Sequence, residues 1–142
     1  GCQELWYGVE SGSPRILDEM HKSTDIKKIK EVFRLTREHG IKTRAYFLLG
    51  MPSETIEDIE MTEKLCDELQ PDIVGFALLA PFPTNEYFNH GTMIDWDWSV
   101  FDEYANDWVS TETITNQELK EIQRRLLDKY QKVATFRQKL KS

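Results

Sequence analysis

Cysteine is nearly absent. The 142 residues hold only Cys2 and Cys66, too few for a disulfide framework, and no CxxC or HxxxH spacing marks a metal site. That usage fits a reducing, cytoplasmic setting. Long apolar runs are absent too. None approaches the ~18 residues that span a bilayer, and no stretch has the build of a signal peptide, so no membrane is expected as a partner. Positive charge is in short supply, 18 Lys and Arg against 25 Asp and Glu for a net −7. That balance argues against nucleic acid and against an anionic surface as partners. The deficit is uneven: no Lys or Arg occurs from Leu65 to Leu119. There is no low-complexity segment, and no internal repeat beyond a βα unit.

What is present is ordinary globular material, 39% apolar and 11% aromatic, in a length suited to one core. A strand-like run follows Gly1 almost at once, which reads as a piece of a longer protein. The run "ELWYGV" (4–9) stops at Glu10-Ser11-Gly12-Ser13-Pro14, a buried strand entering a loop. Pro14 suits the first position of a short helix through Met20. Thr24 is the expected N-cap of a second helix, with Ile26, Ile29, Val32, Phe33 and Thr36 on its apolar face and Gly40 as its stop. "TRAYFLL" (43–49) is the next strand. Thr55 then caps a helix with Ile59, Thr62, Cys66 and Leu69 inside, and "IVGFALL" (73–79) is the third strand.

Strands alternating with helices of this length predict α/β architecture, a parallel βαβαβ sheet with right-handed crossovers. Nearly continuous apolar strands suit a sheet covered on both faces. Beyond Pro81, Asp95, Asp97, Asp102, Glu103 and Asp107 interleave with Trp96, Trp98, Phe101, Tyr104 and Trp108. This reads as aromatic packing under a solvated acidic face. A last helix opens on a capping box, Thr115 to Glu118, and carries Leu119, Ile122, Leu126, Tyr130 and Val133 on one stripe.

All three strands end in unusual loops: Glu10-Ser11-Gly12-Ser13, Gly50-Met51-Pro52-Ser53-Glu54 and Ala80-Pro81-Phe82-Pro83. In parallel α/β folds the strand C-termini share one rim, where ligands bind. Gly12 and Gly50 then allow a ligand close to the backbone, and Glu10 and Glu54 can accept from hydroxyls or an ammonium group. Pro81 and Pro83 fix a loop whose carbonyls can face a heterocycle. The plainer alternative is turn punctuation, with Glu54 serving the next helix's N-terminus. Arg44 is a cation inside a strand and must face a partner or solvent; the neighbouring strand ends offer Glu10, and the expected role for Arg44 is in holding a carboxylate ligand. Cys66 reads as a core residue, and His21, His39 and His90 as capping or solvated.

The motifs "GVESGS" (8–13), "MHKSTD" (20–25), "HGIKTRAYFLLGMPSET" (39–55) and "PDIVGFALLAPFPTNEYF" (71–88) resemble the second half of the radical S-adenosylmethionine (SAM) barrel. The likeness is to the branch that often carries a cobalamin-binding domain. It implies strands four to six of a partial (β/α)6, TIM-like barrel over residues 1–90, with 91–142 as an acidic-aromatic extension and C-terminal helix. It implies SAM and a 4Fe–4S cluster as cofactors of the whole protein, with cobalamin possible. The chemistry implied is reductive cleavage of SAM to a 5′-deoxyadenosyl radical, in an oxidoreductase or methyltransferase-like enzyme. By the same resemblance Glu10 and Ser11 contact the ribose and methionine portion of SAM. Gly50, Pro52, Glu54 and Thr55 support its adenine side, Arg44 approaches its carboxylate, and Leu79, Ala80 and Pro81 line the adenine.

Two departures matter. The loop after the last strand reads Pro81-Phe82-Pro83-Thr84-Asn85 where the family has a glycine, and the cluster-binding CxxxCxxC is not in this chain. The chain alone is therefore expected to be inactive, with no metal ligand or catalytic group of its own and a substrate that is unknown, small-molecule or otherwise. The rival class is a cofactor-free α/β interaction module. Open strand edges at Glu4–Val9 and Ile73–Leu79 also predict a homodimer that would bury inner-face Phe47, Leu49, Phe76 and Leu78; the competing outcome is a final helix, Thr115 to Leu140, that folds back over the open edge and keeps the chain monomeric.

Overall fold

The computed structural model describes residues 1–80, 87, 107 and 109–141. The elements are β1 (Glu4–Glu10), α1 (Pro14–Glu19), α2 (Ile26–Glu38), β2 (Lys42–Leu49), α3 (Ile56–Leu69), β3 (Ile73–Leu78) and α4 (Asn116–Lys141). The strands form one parallel sheet in the order β1-β2-β3. This is the expected βαβαβ half of a TIM-like barrel.

The register decides which side chains face which layer. Tyr7 pairs with Ala45, and Phe47 with Phe76. Tyr7 packs on Phe33 of α2, centroids 4.8 Å apart, and Phe76 on Tyr130 of α4 at 5.7 Å. The α3 helix lies between them, joined to α2 by Lys30–Glu68 and to α4 by Tyr130, whose hydroxyl donates to Asp67 at 2.8 Å. All the long helices thus cover one face, as they do outside a barrel. The other face carries Trp6, Gly8, Arg44, Tyr46, Leu48, Gly75 and Ala77, half-buried or exposed.

This corrects the assignment of the inner face. Phe47, Leu49, Phe76 and Leu78 are at most 1% exposed, buried under the helices, with Phe47 stacked on Phe76 at 5.1 Å. A strand alternates its side chains, so the open side belongs to the intervening residues.

Two helix details also differ from the sequence reading. Asp25 rather than Thr24 is the N-cap of α2, its carboxylate accepting from the Lys28 amide at 2.9 Å. Val32 is 39% exposed, like Leu35. Lys30 and Arg37 reach α3, at Glu68 and the Leu69 carbonyl, so Val32 and Leu35 lie on the flank turned away from α3. The α4 start matches its box: Thr115 N–H donates to Glu118 at 2.9 Å, and Glu118 N–H returns a bond to Thr115 Oγ1 at 3.3 Å. Leu119, Leu126 and Tyr130 bury the α4 stripe, and Gln123 donates to the Phe76 carbonyl at 2.8 Å. The domain division placed at residue 90, and the acidic-aromatic run apart from Asp107, fall outside the described residues.

Candidate functional site

The rim at the strand C-termini is built from two loops. The first follows β1. The pairing slips between Gly8 and Glu10, and Glu10 takes a left-handed φ of 66°. A non-glycine residue there is uncommon, and bulges gather beside sites where a side chain must be re-aimed. The result is a carboxylate laid over the open face. A Cβ on Gly8 would stand 2.6 Å from Glu10 Oε1, so the glycine leaves room for it. Lys22 Nζ holds the same oxygen at 2.9 Å. Lys22 was not singled out from the sequence beyond the motif "MHKSTD"; it lies 12 positions away and follows His21, whose φ of 53° is left-handed.

Beyond Glu10 the loop turns inward. Ser11 is fully buried, its hydroxyl 3.2 Å from Thr62 Oγ1 on α3, and the Gly12 amide donates to Thr62 at 2.9 Å. The space beside Gly12 is not a ligand's. A Cβ there would sit 2.3 Å from the Met61 carbonyl oxygen, so this glycine exists for the approach of α3.

The second loop follows β2. Gly50 has φ 96°, and a Cβ on it would meet Val109 Cγ1 at 2.8 Å. Here too the close neighbour is the protein's own chain. Residues 109–114 lie over the turn, with Glu112 N–H donating to the Pro52 carbonyl at 2.9 Å and Val109 and Ile114 buried. Glu54 is completely buried, and its Oε2 accepts from the Gly50 amide at 2.6 Å. Its Oε1 has no hydrogen-bond partner among the described residues. Burial pushes the Glu54 carboxyl up to about 7, helped by the nearby Asp58 and Glu19 carboxylates. Glu54 therefore braces the turn from beneath.

The two loops meet at α3. Asp58, 5% exposed, accepts from the Ser13 hydroxyl at 2.6 Å, and from the Thr55 amide and hydroxyl at 2.9 and 3.0 Å. Arg15 pairs with the same carboxylate and donates to the Ser53 carbonyl at 2.9 Å. These donors hold the Asp58 carboxyl below its ordinary range against the opposing pull of burial. Neither Asp58 nor Arg15 was singled out from the sequence, although Thr55-x-x-Asp58 has capping-box spacing.

The predicted residues separate accordingly. Glu10, Ser11, Gly50, Pro52 and Glu54 come together on one rim, with Leu79 beside them, its amide donating to the Leu49 carbonyl at 2.8 Å. Ala80 follows Leu79, and Pro81 is outside the described residues. Arg44 is not brought to Glu10. It pairs with Glu4 at 3.0 Å and lies over the exposed Trp6 ring at 4.5 Å, because the register sets it opposite Trp6, at the far end of the sheet. No group of three or more His, Cys, Asp or Glu able to hold a metal occurs among the described residues. Cys2 is exposed and Cys66 buried. No helix of the described residues is long and apolar enough to cross a membrane.

Residues 2–66 match the family model described as the Radical SAM superfamily. An uncharacterized methyltransferase of Pyrococcus horikoshii is 31% identical over 83 residues, 58% of this chain and 18% of that protein. The anaerobic magnesium-protoporphyrin IX monomethyl ester cyclase of Rubrivivax gelatinosus is 33% identical over 88 residues, 62% of this chain and 16% of the cyclase. The bacteriochlorophyllide d C-12(1)-methyltransferase of Chlorobaculum tepidum is 27% identical over 107 residues, 73% of this chain and 24% of the enzyme. The chain thus spans less than a quarter of the length of these relatives.

Proposed function

We propose, for a chain whose residues 2–66 match the Radical SAM superfamily model, that it forms half of the SAM-binding rim of a radical SAM enzyme. The observation that carries this reading is the Glu10 carboxylate, held by a strained backbone over the open face at a strand C-terminus. That placement fits SAM: a carboxylate there can accept from the vicinal ribose hydroxyls, and Ser11 and the Gly50–Glu54 turn keep the rim in shape around it. The cluster does not fit this chain, which has one exposed and one buried cysteine and no others. Its ligands would come from elsewhere in the whole protein. When both groups are bound, the chemistry supplied is reductive cleavage of SAM to a 5′-deoxyadenosyl radical.

This chain's own share is positioning. It offers hydrogen-bond acceptors to the nucleoside and a buried, preorganised backbone beneath them. By itself it holds half a pocket and no electron source, so we expect it to be inactive alone. Relatives named as methyltransferases and a cyclase support methyl transfer or cyclisation as candidate reactions. Cobalamin finds no support in those names. The test is SAM binding and reductive cleavage by the anaerobically reconstituted full-length protein. Loss of a charged hydrogen-bond acceptor is worth about 1.5–3 kcal/mol, so Glu10→Ala should weaken SAM by roughly tenfold or more. Equal affinity in both proteins removes Glu10 from the site.

A further inference from the structure

The two rim loops are separated by some 40 residues of sequence, yet one carboxylate bonds to both. On the first loop, Ser13 donates its hydroxyl to Asp58 Oδ1 at 2.6 Å. On the second, the Thr55 amide and hydroxyl donate to Asp58 Oδ2. Arg15, four residues after Ser11, adds a fork: it pairs with Asp58 and donates to both Ser53 Oγ and the Ser53 carbonyl, at 2.5 and 2.9 Å. Ser53 Oγ in turn bonds Glu19 at the end of α1. One helical turn further along α3, Thr62 takes the Gly12 amide and the Ser11 hydroxyl, while Gly12 rests on the Met61 carbonyl. The first two turns of α3 therefore form a single support for Glu10–Ser13 and for Gly50–Thr55.

We propose that Asp58, seconded by Arg15, is a positioning residue that locks the two SAM-contacting loops into one preformed surface. This rests on the SAM reading above and names how its site is held. Neither residue reaches the open face; each acts through the loop it grips. Four donors on one carboxylate leave neither of its oxygens unbonded, so shifting one loop withdraws donors from the group that holds the other. A ligand that contacts both loops then meets them at a fixed separation, without ordering them itself.

The test uses three variants in the full-length protein. Arg15→Met removes a half-exposed cation whose pairing contributes little to stability. Ser13→Ala removes the first loop's hydroxyl donor to Asp58. Asp58→Asn is the conservative change: with its amide group turned toward Ser13, whose hydroxyl can then accept, it still accepts from Thr55. The expected result is SAM binding weakened about threefold to tenfold in Arg15→Met and Ser13→Ala, less in Asp58→Asn, with melting temperatures within about 3 °C of wild type. Amide exchange supplies the readout that a local role would not move. Ser13→Ala should speed exchange at Thr55 N–H, on the opposite loop, while amides in β2 keep their rates. Wild-type SAM affinity in all three variants, with Glu10→Ala still weakened, overturns the positioning role and spares the SAM reading. Absence of SAM binding by the wild-type protein overturns that reading. The coupling is then judged on exchange alone: unchanged exchange at Thr55 in Ser13→Ala overturns it, and faster exchange upholds it.

Discussion

The Glu54 carboxyl, sealed under the turn after β2, links the rim to pH. Burial is the chief reason it keeps its proton up to about 7 instead of the ordinary 4.5; Asp58 and Glu19 push the same way, and the amides of Gly50 and Met51 oppose them. Between those two values the folded state holds a proton that the unfolded chain has released. Stability therefore falls as pH rises through that window and levels off above it. At about 1.4 kcal/mol per pH unit, the whole span amounts to roughly 3 kcal/mol. The isoelectric point is about 5.0, where the chain carries least charge and is least soluble. Starting at about pH 5.5 and ending at 8.5, roughly 2 kcal/mol of that span is sampled. The perturbation is Glu54→Gln, neutral at every pH and still able to accept from the Gly50 amide. Urea unfolding of both proteins is followed across the window, and subtracting the two curves cancels every other titrating group. Wild type should lose about 2 kcal/mol relative to Glu54→Gln between the two ends. A difference constant to within about 0.5 kcal/mol would refute the argument, because it would mean that Glu54 is ionised, hydrated or both in the folded state.

Four further outcomes are expected. Gly12→Ala, whose new Cβ would stand 2.3 Å from the Met61 carbonyl oxygen, should cost about 2–4 kcal/mol in chemical unfolding, since backbone on both sides must shift. Gly50→Ala should cost about 1–3 kcal/mol from its left-handed φ and the Val109 contact; wild-type stability in either variant would contradict the packing described here. Leu126→Ala, at a site with 0% exposure, should lower stability by about 2–4 kcal/mol, and a loss below about 1 kcal/mol would mean that α4 is not docked on β3. The edge strand β1 exposes Leu5 and Trp6, 38% and 63%, so we propose that the isolated chain self-associates through its strand edges. Light scattering should give a mass above 16.7 kDa that Trp6→Lys returns to the monomer value, and a wild-type monomer at about 100 μM would remove the idea.

The strands, their order of appearance and the capped start of α4 were legible because each leaves a local mark. A run of six or seven apolar residues between turn signals can be a strand without knowing its neighbours, and Thr115-x-x-Glu118 makes its own hydrogen bonds. The faces were not legible. In "TRAYFLL" both alternating sets are largely apolar, so nothing in the run says that Phe47 and Leu49 go to the helices while Tyr46 and Leu48 go to the open side. Arg44 was misplaced for a related reason. Its membership of β2 is local, but its partner depends on the parallel register, which sets it beside Trp6 and Glu4 and several residues below Glu10.

The glycines show where a sequence stops informing on function. Gly12 and Gly50 both mark places where something comes too close for a Cβ, and that much can be read from their setting after strands. What comes close is a non-local fact. At Gly12 it is the α3 backbone, and at Gly50 it is Val109, nearly sixty positions on. Only at Gly8 does the room serve a group that faces the open side, the Glu10 carboxylate. A missing Cβ reports that space was needed and is silent on whether a ligand or the chain itself fills it. On this rim the chain fills all three places, at Gly8 with the one group of the three that faces the open side. The functional weight therefore falls on Glu10, whose left-handed backbone at the bulge lays its carboxylate over the open face, and on the α3 carboxylate that keeps its loop in register with the next.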